Sequence, residues 1–341
     1  MKSIYIYSNT VGCFLLDSSF KLVGSAFFRE SELVERNRRL SSGGWVKEEL
    51  QLIEQNKGRS IVFIGFKSEA SEGVKLGSSQ GIYERISSTL GKLPGIRPGI
   101  CKAARTVCSD ALRHSVGADN LITQAVGAID DVERSANLLS KRLREWYGLY
   151  CPEASNAIAD HKRFAELAAS RDRPRLLSDL KLPAYSMGAD LAKRDVEEIK
   201  HLASEIGELY TLRDKHEKYL GVIMKELAPN ISVLAGPLIG ARLISIAGSL
   251  RHLAELPAST IQLLGAEKAL FRHIRSGARP PKFGVIFAHP LIQGVPAKMR
   301  GKAARALADK LAIAARVDYF KGQFIADKLR AGLEKRFAAK G

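Results

Sequence analysis

Between Asn120 and Tyr150, apolar residues recur in alternating steps of three and four. Ile122, Ala125, Ile129, Val132, Ala136, Leu139, Leu143 and Trp146 trace one line. That spacing holds a single apolar stripe along an α-helix for about seven turns, and no strand, whose faces alternate every second residue, can satisfy it. After the prolines at 174 and 183 a second seam follows: Ile199, Leu202, Ile206 and Leu209, then Leu220, Ile223 and Leu227. Arg213 and His216 occupy the intervening core slots and interrupt it. Two such helices around a turn-rich insert, roughly Cys151 to Ala189, predict an antiparallel coiled-coil hairpin. A projecting pair buries little surface alone, so it is expected to meet a partner, including a second copy of this chain. The alternative left open is a pair of amphipathic helices packed inside a compact helical domain.

The chain has 341 residues, enough for two or three domains, and its 45% hydrophobic content is that of a folded protein. Residues 1–115 read as a small α/β domain. Ser3–Tyr7, Val11–Leu16 and Leu22–Phe27 are short β-rich runs that suggest a meander. Helical stretches at Glu30–Leu40 and Trp45–Gln55 precede Ser60–Phe66, SIVFIGF, which has the composition of a buried strand. Leu93–Gly99, LPGIRPG, signals a loop, and a helix is expected from Ile100 to His114. No GxGxxG or GxxxxGK[ST] run is present, so no phosphate-cradling loop is expected here. The hairpin domain then spans 116–228, and 229–341 forms a third, all-helical domain. After Pro229 short helices alternate with Gly and Pro, with a helix start at Pro257–Thr260 capped by Ser or Thr, a helix over Ala266–Ile274, a loop over Ser276–Pro296, and a long helix over Ala297–Phe320. The fold class is therefore mainly α and multidomain, with one small α/β domain at the N-terminus.

Charge is distributed unevenly along this chain. The net charge is +17; residues 230–341 hold 19 Lys+Arg against six Asp+Glu, leaving the first 229 with 34 against 30. A cationic, acid-poor segment is the footprint of a polyanion, whereas a merely solubilising surface mixes both signs. Lys268, Arg272 and Arg275 stand at i, i+4 and i+7, one helical face. Lys298, Lys302 and Arg305 repeat that spacing, with Arg300 beside them and Ala304, Leu307, Leu311 and Ala314 turned to a core. A basic row backed by an apolar one suits a helix that rests on its domain while touching phosphates. His273 and His289 are candidates for base stacking or phosphate contact, against the commoner structural role of a lone histidine. Glu267 is placed to pair with or orient Lys268, and Arg316 with Asp318 to form a structural pair.

Catalytic signals are weak: HExxH, GxSxG and the kinase set are missing. Cys13, Cys101, Cys108 and Cys151 make no CxxC and no disulfide framework, and Cys101, Cys108 and His114 fit no zinc spacing. They are read as plain buried thiols of an intracellular protein, with no metal and no bound cofactor. MKSIYIYSNT turns polar too early for a secretory signal. The longest uncharged stretches, Leu227–Ala241 and Phe283–Ala297, each contain two prolines and are too short to span a membrane, so none is expected as a partner.

Longer strings in the last 110 or so residues closely resemble the NOP domain of box C/D RNA-guided ribonucleoproteins. They are GPLIGARL (Gly236–Leu243), LPASTIQLLGAEKALFR (Leu256–Arg272), PKFGVIF (Pro281–Phe287), GKAARAL (Gly301–Leu307) and AARVDYF (Ala314–Phe320). LREWY (Leu143–Tyr147) followed by Pro152–Glu153 is similar to the family's coiled-coil segment, although Cys151 stands where an aromatic is common and Ala154 where Leu is. The N-terminal domain resembles its counterpart only by position and by its α/β pattern. The resemblance implies a scaffold without catalytic residues. Its N-terminal domain would hold fibrillarin, which uses S-adenosylmethionine to methylate ribose 2′-oxygens. The coiled coil would pair two scaffold copies. The NOP domain would recognise a kink-turn guide RNA already bound by a small ribosomal-protein-like partner. On this sequence the implied RNA contacts are Lys268, Arg272, Lys302 and Arg305 with Arg300 adjacent, and the loop at Lys282 would face the composite RNA–protein surface; His273 and Arg275 complete the candidate set.

The chain stops soon after AARVDYF, where nucleolar relatives carry Lys-rich tails, so the archaeal form is expected, cytoplasmic in an archaeon and nucleolar in a eukaryote. A second reading is a spliceosomal relative that binds a small nuclear RNA without a methyltransferase; the N-terminal α/β domain speaks for the methylation scaffold. An RNA-modifying enzyme would need a clustered acid–base set, which the sequence does not offer.

Overall fold

The computed structural model describes residues 3–338 except 70, 72, 78 and 79. Its contacts divide the chain after Val116 into two units. In the first, β1 (Ile4–Asn9), β2 (Gly12–Leu16) and β3 (Leu22–Phe27) form the expected antiparallel meander, with Ile6 opposite Leu15 and Gly12 opposite Phe27. β4 (Ile61–Ile64) then joins β1 in parallel, and β5 (Val74–Gly77) joins β4, giving the order β3-β2-β1-β4-β5. All five residues of β2 are buried because helices cover both faces of the sheet. Cys13 and Leu15 point to one side, where Leu52 and Ile53 pack; Phe14 and Leu16 point to the other, against Ile86, Leu90 and Ile96.

The helices are α1 (Leu33–Ser41), α2 (Lys47–Gln55), α3 (Gln80–Gly91) and α4 (Ile96–Ser115). α4 begins four residues earlier than the LPGIRPG signal suggests. Pro98 lies in its first turn, where the missing N–H has no intrahelical partner to lose. A buried ion pair ties α2 to the chain after β4. Lys67 Nζ lies 2.5 Å from Glu49 and 2.8 Å from the Gly44 carbonyl, and the Ser8 hydroxyl donates to Glu49 at 2.7 Å. Burial pushes the Cys13 thiol up to about 12, which leaves it unreactive. Cys101 and Cys108 overturn the buried-thiol expectation: both are exposed on α4, whose covered side is carried by residues such as Ile96 and Ala103.

The second unit is built on α5 (Ala118–Tyr150) and α9 (Lys193–Leu227). They run antiparallel. Ile122 and Ile129 share a core with Leu220 and Met224, whereas Leu143 and Tyr147 share another with Ile199 and Ala203. The two cores part near the Arg213–His216 interruption. There the Tyr210 hydroxyl donates to Asn137 at 3.3 Å, and Asp214 pairs with Arg213 and with Lys162, both at 2.7 Å. The insert is more ordered than its turn signals suggest. It forms α6 (Pro152–Ala157), α7 (His161–Ser170) and α8 (Arg173–Asp179), which pack Ala154, Phe164, Ala168, Leu176 and Leu177 into the upper core. Cys151 and Ala154, the departures from the family pattern, are fully buried there.

After α9 come α10 (Pro229–Ala235), α11 (Pro237–Ala247), α12 (Leu250–Glu255), α13 (Ala258–Leu263), α14 (Glu267–Ser276), α15 (Pro290–Gln293), α16 (Arg300–Tyr319) and α17 (Ala326–Ala338). Pro257 itself precedes α13 with no side-chain cap; the Ser that caps is Ser249, which accepts from the His252 N–H at 3.0 Å and opens α12. Among the described residues no single helix is long and apolar enough to cross a membrane. α10 and α11 approach that composition together, but they bend by 119° and contribute buried side chains to the core.

Asp318 does not pair with Arg316, whose Nε donates to the Ala254 carbonyl instead. Its carboxylate accepts the Asn230 and Ile231 N–H groups at 3.1 and 2.9 Å and the Asn230 side-chain amide at 2.7 Å. Asn230 Oδ1 in turn accepts the Ile325 and Ala326 N–H groups at 2.8 and 2.9 Å. One buried node thus joins the end of α16 to the starts of α10 and α17. Burial raises the Asp318 pKa and the three donors only partly offset it. Asp318→Ala orphans two buried N–H groups and should cost roughly 2–4 kcal/mol, read as a shift of the urea midpoint with helical circular dichroism as the probe.

Candidate nucleic-acid interface

From Lys268 to Ala308 the chain carries nine Lys and Arg and not one Asp or Glu. The ion pairs nearby are Arg251–Glu255, Arg242–Asp130 and Arg330–Glu334, all outside that stretch. Among the described residues, Lys268, Arg272, Arg275, Lys282, Arg300, Lys302 and Arg305 have no acidic partner within ion-pair distance. Positive charge is left uncompensated by the protein itself.

α14 stands proud of the domain. None of its residues is buried, and only Leu270 and His273 are partly covered. Lys268, Arg272 and Arg275 form the expected exposed row, and Phe271 and Ile274, 64% and 74% exposed, lie beside it. Glu267 does not reach Lys268. It accepts the Gly265 N–H at 2.6 Å and so fixes the turn into α14, where Gly265 adopts φ +86°. His273 is drawn away from the row: its Nδ1 contacts the Ala278 carbonyl just beyond the helix, a local role in ending α14.

The loop after α14 is pinned against the α13–α14 connection. Gly284 and Val285 donate to the Gln262 and Leu264 carbonyls, both at 2.8 Å, and the Gln262 amide donates to the Lys282 carbonyl at 2.6 Å. A Cβ at Gly284 would lie 1.8 Å from the Leu264 oxygen, so only glycine allows this approach. Lys282 is thereby held beside α13 and is exposed, as is Arg279, a cation that stands outside both helical rows.

α16 is buried along most of its circumference, including Ala304, Leu307, Leu311 and Ala314 as expected. One narrow stripe stays exposed, and Lys302, Arg305, Asp309, Ile313 and Arg316 lie on it. The helix starts at Arg300 rather than Ala297, which corrects the second row in two places. Lys298 falls in the preceding turn. Arg300, two residues before Lys302, points about 160° away from it around the helix. It packs over the Phe287 ring, 5.8 Å from the centroid.

His289 has a structural role. The Leu291 N–H donates to Nδ1 at 3.1 Å, so Nε2 carries the proton and donates to the Leu234 carbonyl at 3.0 Å. Burial depresses its pKa, and nearby Arg330 adds to that; the bond to Leu234 opposes it.

The family model for the Nop domain, "snoRNA binding domain, fibrillarin", matches residues 128–339, well over half of the chain. The chain belongs to the Nop family. It is 49% identical over 233 residues to an uncharacterised NOP5 family protein of Methanocaldococcus jannaschii, covering 64% of this chain and 56% of that protein. It is 36% identical over 298 residues to nucleolar protein 58 of Debaryomyces hansenii, covering 80% of this chain and 56% of the other. The chain thus spans about half the length of the curated relatives it matches. A solved structure described as a fibrillarin/Nop5p complex aligns with 79% of this chain and 95% of its own at 25% identity, with a TM-score of 0.43, too low to support more than that bare likeness. The matched span begins within α5, so the Nop family model covers most of the helix pair as well as the cationic helices.

Two outcomes test the site. Lys268→Ala and Arg272→Ala should each weaken RNA binding and lower the slope of log K against log salt by about one, with unchanged circular dichroism because α14 buries nothing. The depressed His289 pKa means its contribution to stability is complete above about pH 6.5, its ordinary value, and is lost as pH falls through the folded-state pKa. Urea unfolding at pH 7.5 and 5.5 should show that loss, smaller in His289→Gln.

Proposed function

We propose that the chain is the scaffold subunit of a box C/D RNA-guided 2′-O-methylation particle. In this reading the second unit binds kink-turn guide RNA together with a small ribosomal-protein-like partner. The first unit holds fibrillarin, and the antiparallel helix pair acts as a coiled coil that joins two copies. The observation that carries the reading is the cationic run 268–308, free of Asp and Glu, which takes in most of α14, the pinned loop and the start of α16, inside the span that matches the Nop model.

Phosphates along a folded RNA would supply the counter-charges that the protein lacks. Phe271 and Ile274 add apolar surface beside the cations, as a joint RNA–protein partner requires. The first unit leaves Val23 and Phe27 of its edge strand exposed, a surface suited to a protein partner. Leu138 of α5 and Tyr219 and Val222 of α9 stay exposed on the helix pair, which is consistent with a second copy covering them.

The chain itself performs no chemistry in this scheme. S-adenosylmethionine is bound and consumed by fibrillarin, and the scaffold contributes position, holding the methyl donor over one ribose of the guide–target duplex. In an archaeal cell this work is cytoplasmic; the yeast relatives are named nucleolar proteins.

Reconstitution of the full chain with fibrillarin, guide RNA and the small kink-turn protein should methylate a matched target ribose. Omitting the chain should abolish methylation, and methylation that proceeds equally well without it would refute the scaffold role.

A further inference from the structure

Phe283 and Phe287 stack in parallel in the pinned loop, with ring centroids 4.4 Å apart and planes 10° from parallel. The Arg300 guanidinium lies over the Phe287 ring. Both phenylalanines are only partly buried, although each touches the main core of the second unit. Among the described residues no other ring or guanidinium stacks on Phe283, so it ends the column. Parallel stacking at this spacing is favourable, and the cation over Phe287 adds to it.

The stack sits on a loop held rigid by two backbone hydrogen bonds and a glycine with no room for a Cβ, and both rings stay partly exposed, so a share of their aromatic surface is left outside the core. A nucleobase is flat, has a π face on either side, and brings a phosphate with it. Lys282 is the neighbour of Phe283 in sequence, is exposed and lacks an acidic partner, so it can meet that phosphate. Phe283 is thus a partly exposed aromatic ring beside a cation on a preorganised loop, the composition used to hold unstacked bases.

We propose that the Phe283–Phe287–Arg300 column is a stacking platform for one unpaired nucleobase of the bound RNA. This rests on the RNA-binding reading above and deepens it. α14 and the α16 stripe would contact phosphates regardless of sequence. The column would select RNA with a base free to leave its helix, so the chain would prefer a bulged or looped RNA over a continuous duplex.

The test uses the full chain, the small kink-turn protein, and guide RNA carrying 2-aminopurine at each unpaired position in turn. One position should lose fluorescence when the chain binds, as the probe stacks on an aromatic ring. Phe283→Leu, which keeps apolar volume and removes the π face, should abolish that quench and weaken binding roughly tenfold. Phe283→Tyr should retain both. Lys268→Ala should weaken binding while leaving the quench in the complex that forms at higher concentration. A quench that survives in Phe283→Leu, or no quench at any position despite normal binding, would overturn the platform and leave RNA binding standing. Loss of affinity for the small protein without RNA in Phe283→Leu would reassign the column to a protein contact. Failure of the unmodified chain to bind the RNA at all would sink the underlying reading and this inference with it.

Discussion

The carboxylate of Asp318 and the side-chain amide of Asn230 hold three helix ends together in the second unit. Each backbone N–H they accept belongs to the first turn of α10 or α17 or borders it, where no intrahelical partner exists. The node fixes the C-terminal end of α16, a helix whose alanine-rich circumference lets neighbours approach closely on nearly every side. Only one stripe of α16 then remains for solvent, and Lys302 and Arg305 lie on it. The position of this cationic stripe is therefore set by a polar contact in the interior, about thirteen residues along the same helix from Arg305.

That surface is defined by what the protein withholds. Individual exposed lysines and arginines say little, since most are solvated charges. Here forty-one consecutive residues contain nine cations and no acid, while arginines just outside the stretch do find partners, Arg242 with Asp130 and Arg330 with Glu334. Uncompensated charge on a rigid scaffold favours release of counterions from a polyanion, and the pinned loop ensures that little ordering has to be added on binding.

Much of this was legible in the sequence, and the failures have physical causes. The seams of α5 and α9 were visible because a stripe repeated over many turns leaves few other foldings, and Lys268, Arg272 and Arg275 emerged from the same periodicity. β5 and α3 leave little trace in the sequence because VKLG is short and half polar and α3 has a weak apolar pattern. Arg300 neighbours Lys302 in sequence but not in space, since residues two apart on a helix point about 160° away from each other, and Lys298 drops out because α16 begins two residues after it, helix ends being the least determined part of a pattern. The Asp318–Asn230 node joins residues 88 apart in the chain, and no local spacing announces it. Cys101 and Cys108 looked buried by residue type alone, but the covered side of α4 passes through other positions.

If the proposed function holds, α14, the pinned loop and the α16 stripe meet RNA. Amine-specific labelling of the full chain, read by mass spectrometry with and without the guide RNA and small kink-turn protein, tests it most directly. Lys268, Lys282 and Lys302 should become protected while Lys193 at the start of α9 labels as before. Equal labelling of those three lysines in the free and assembled states would contradict it.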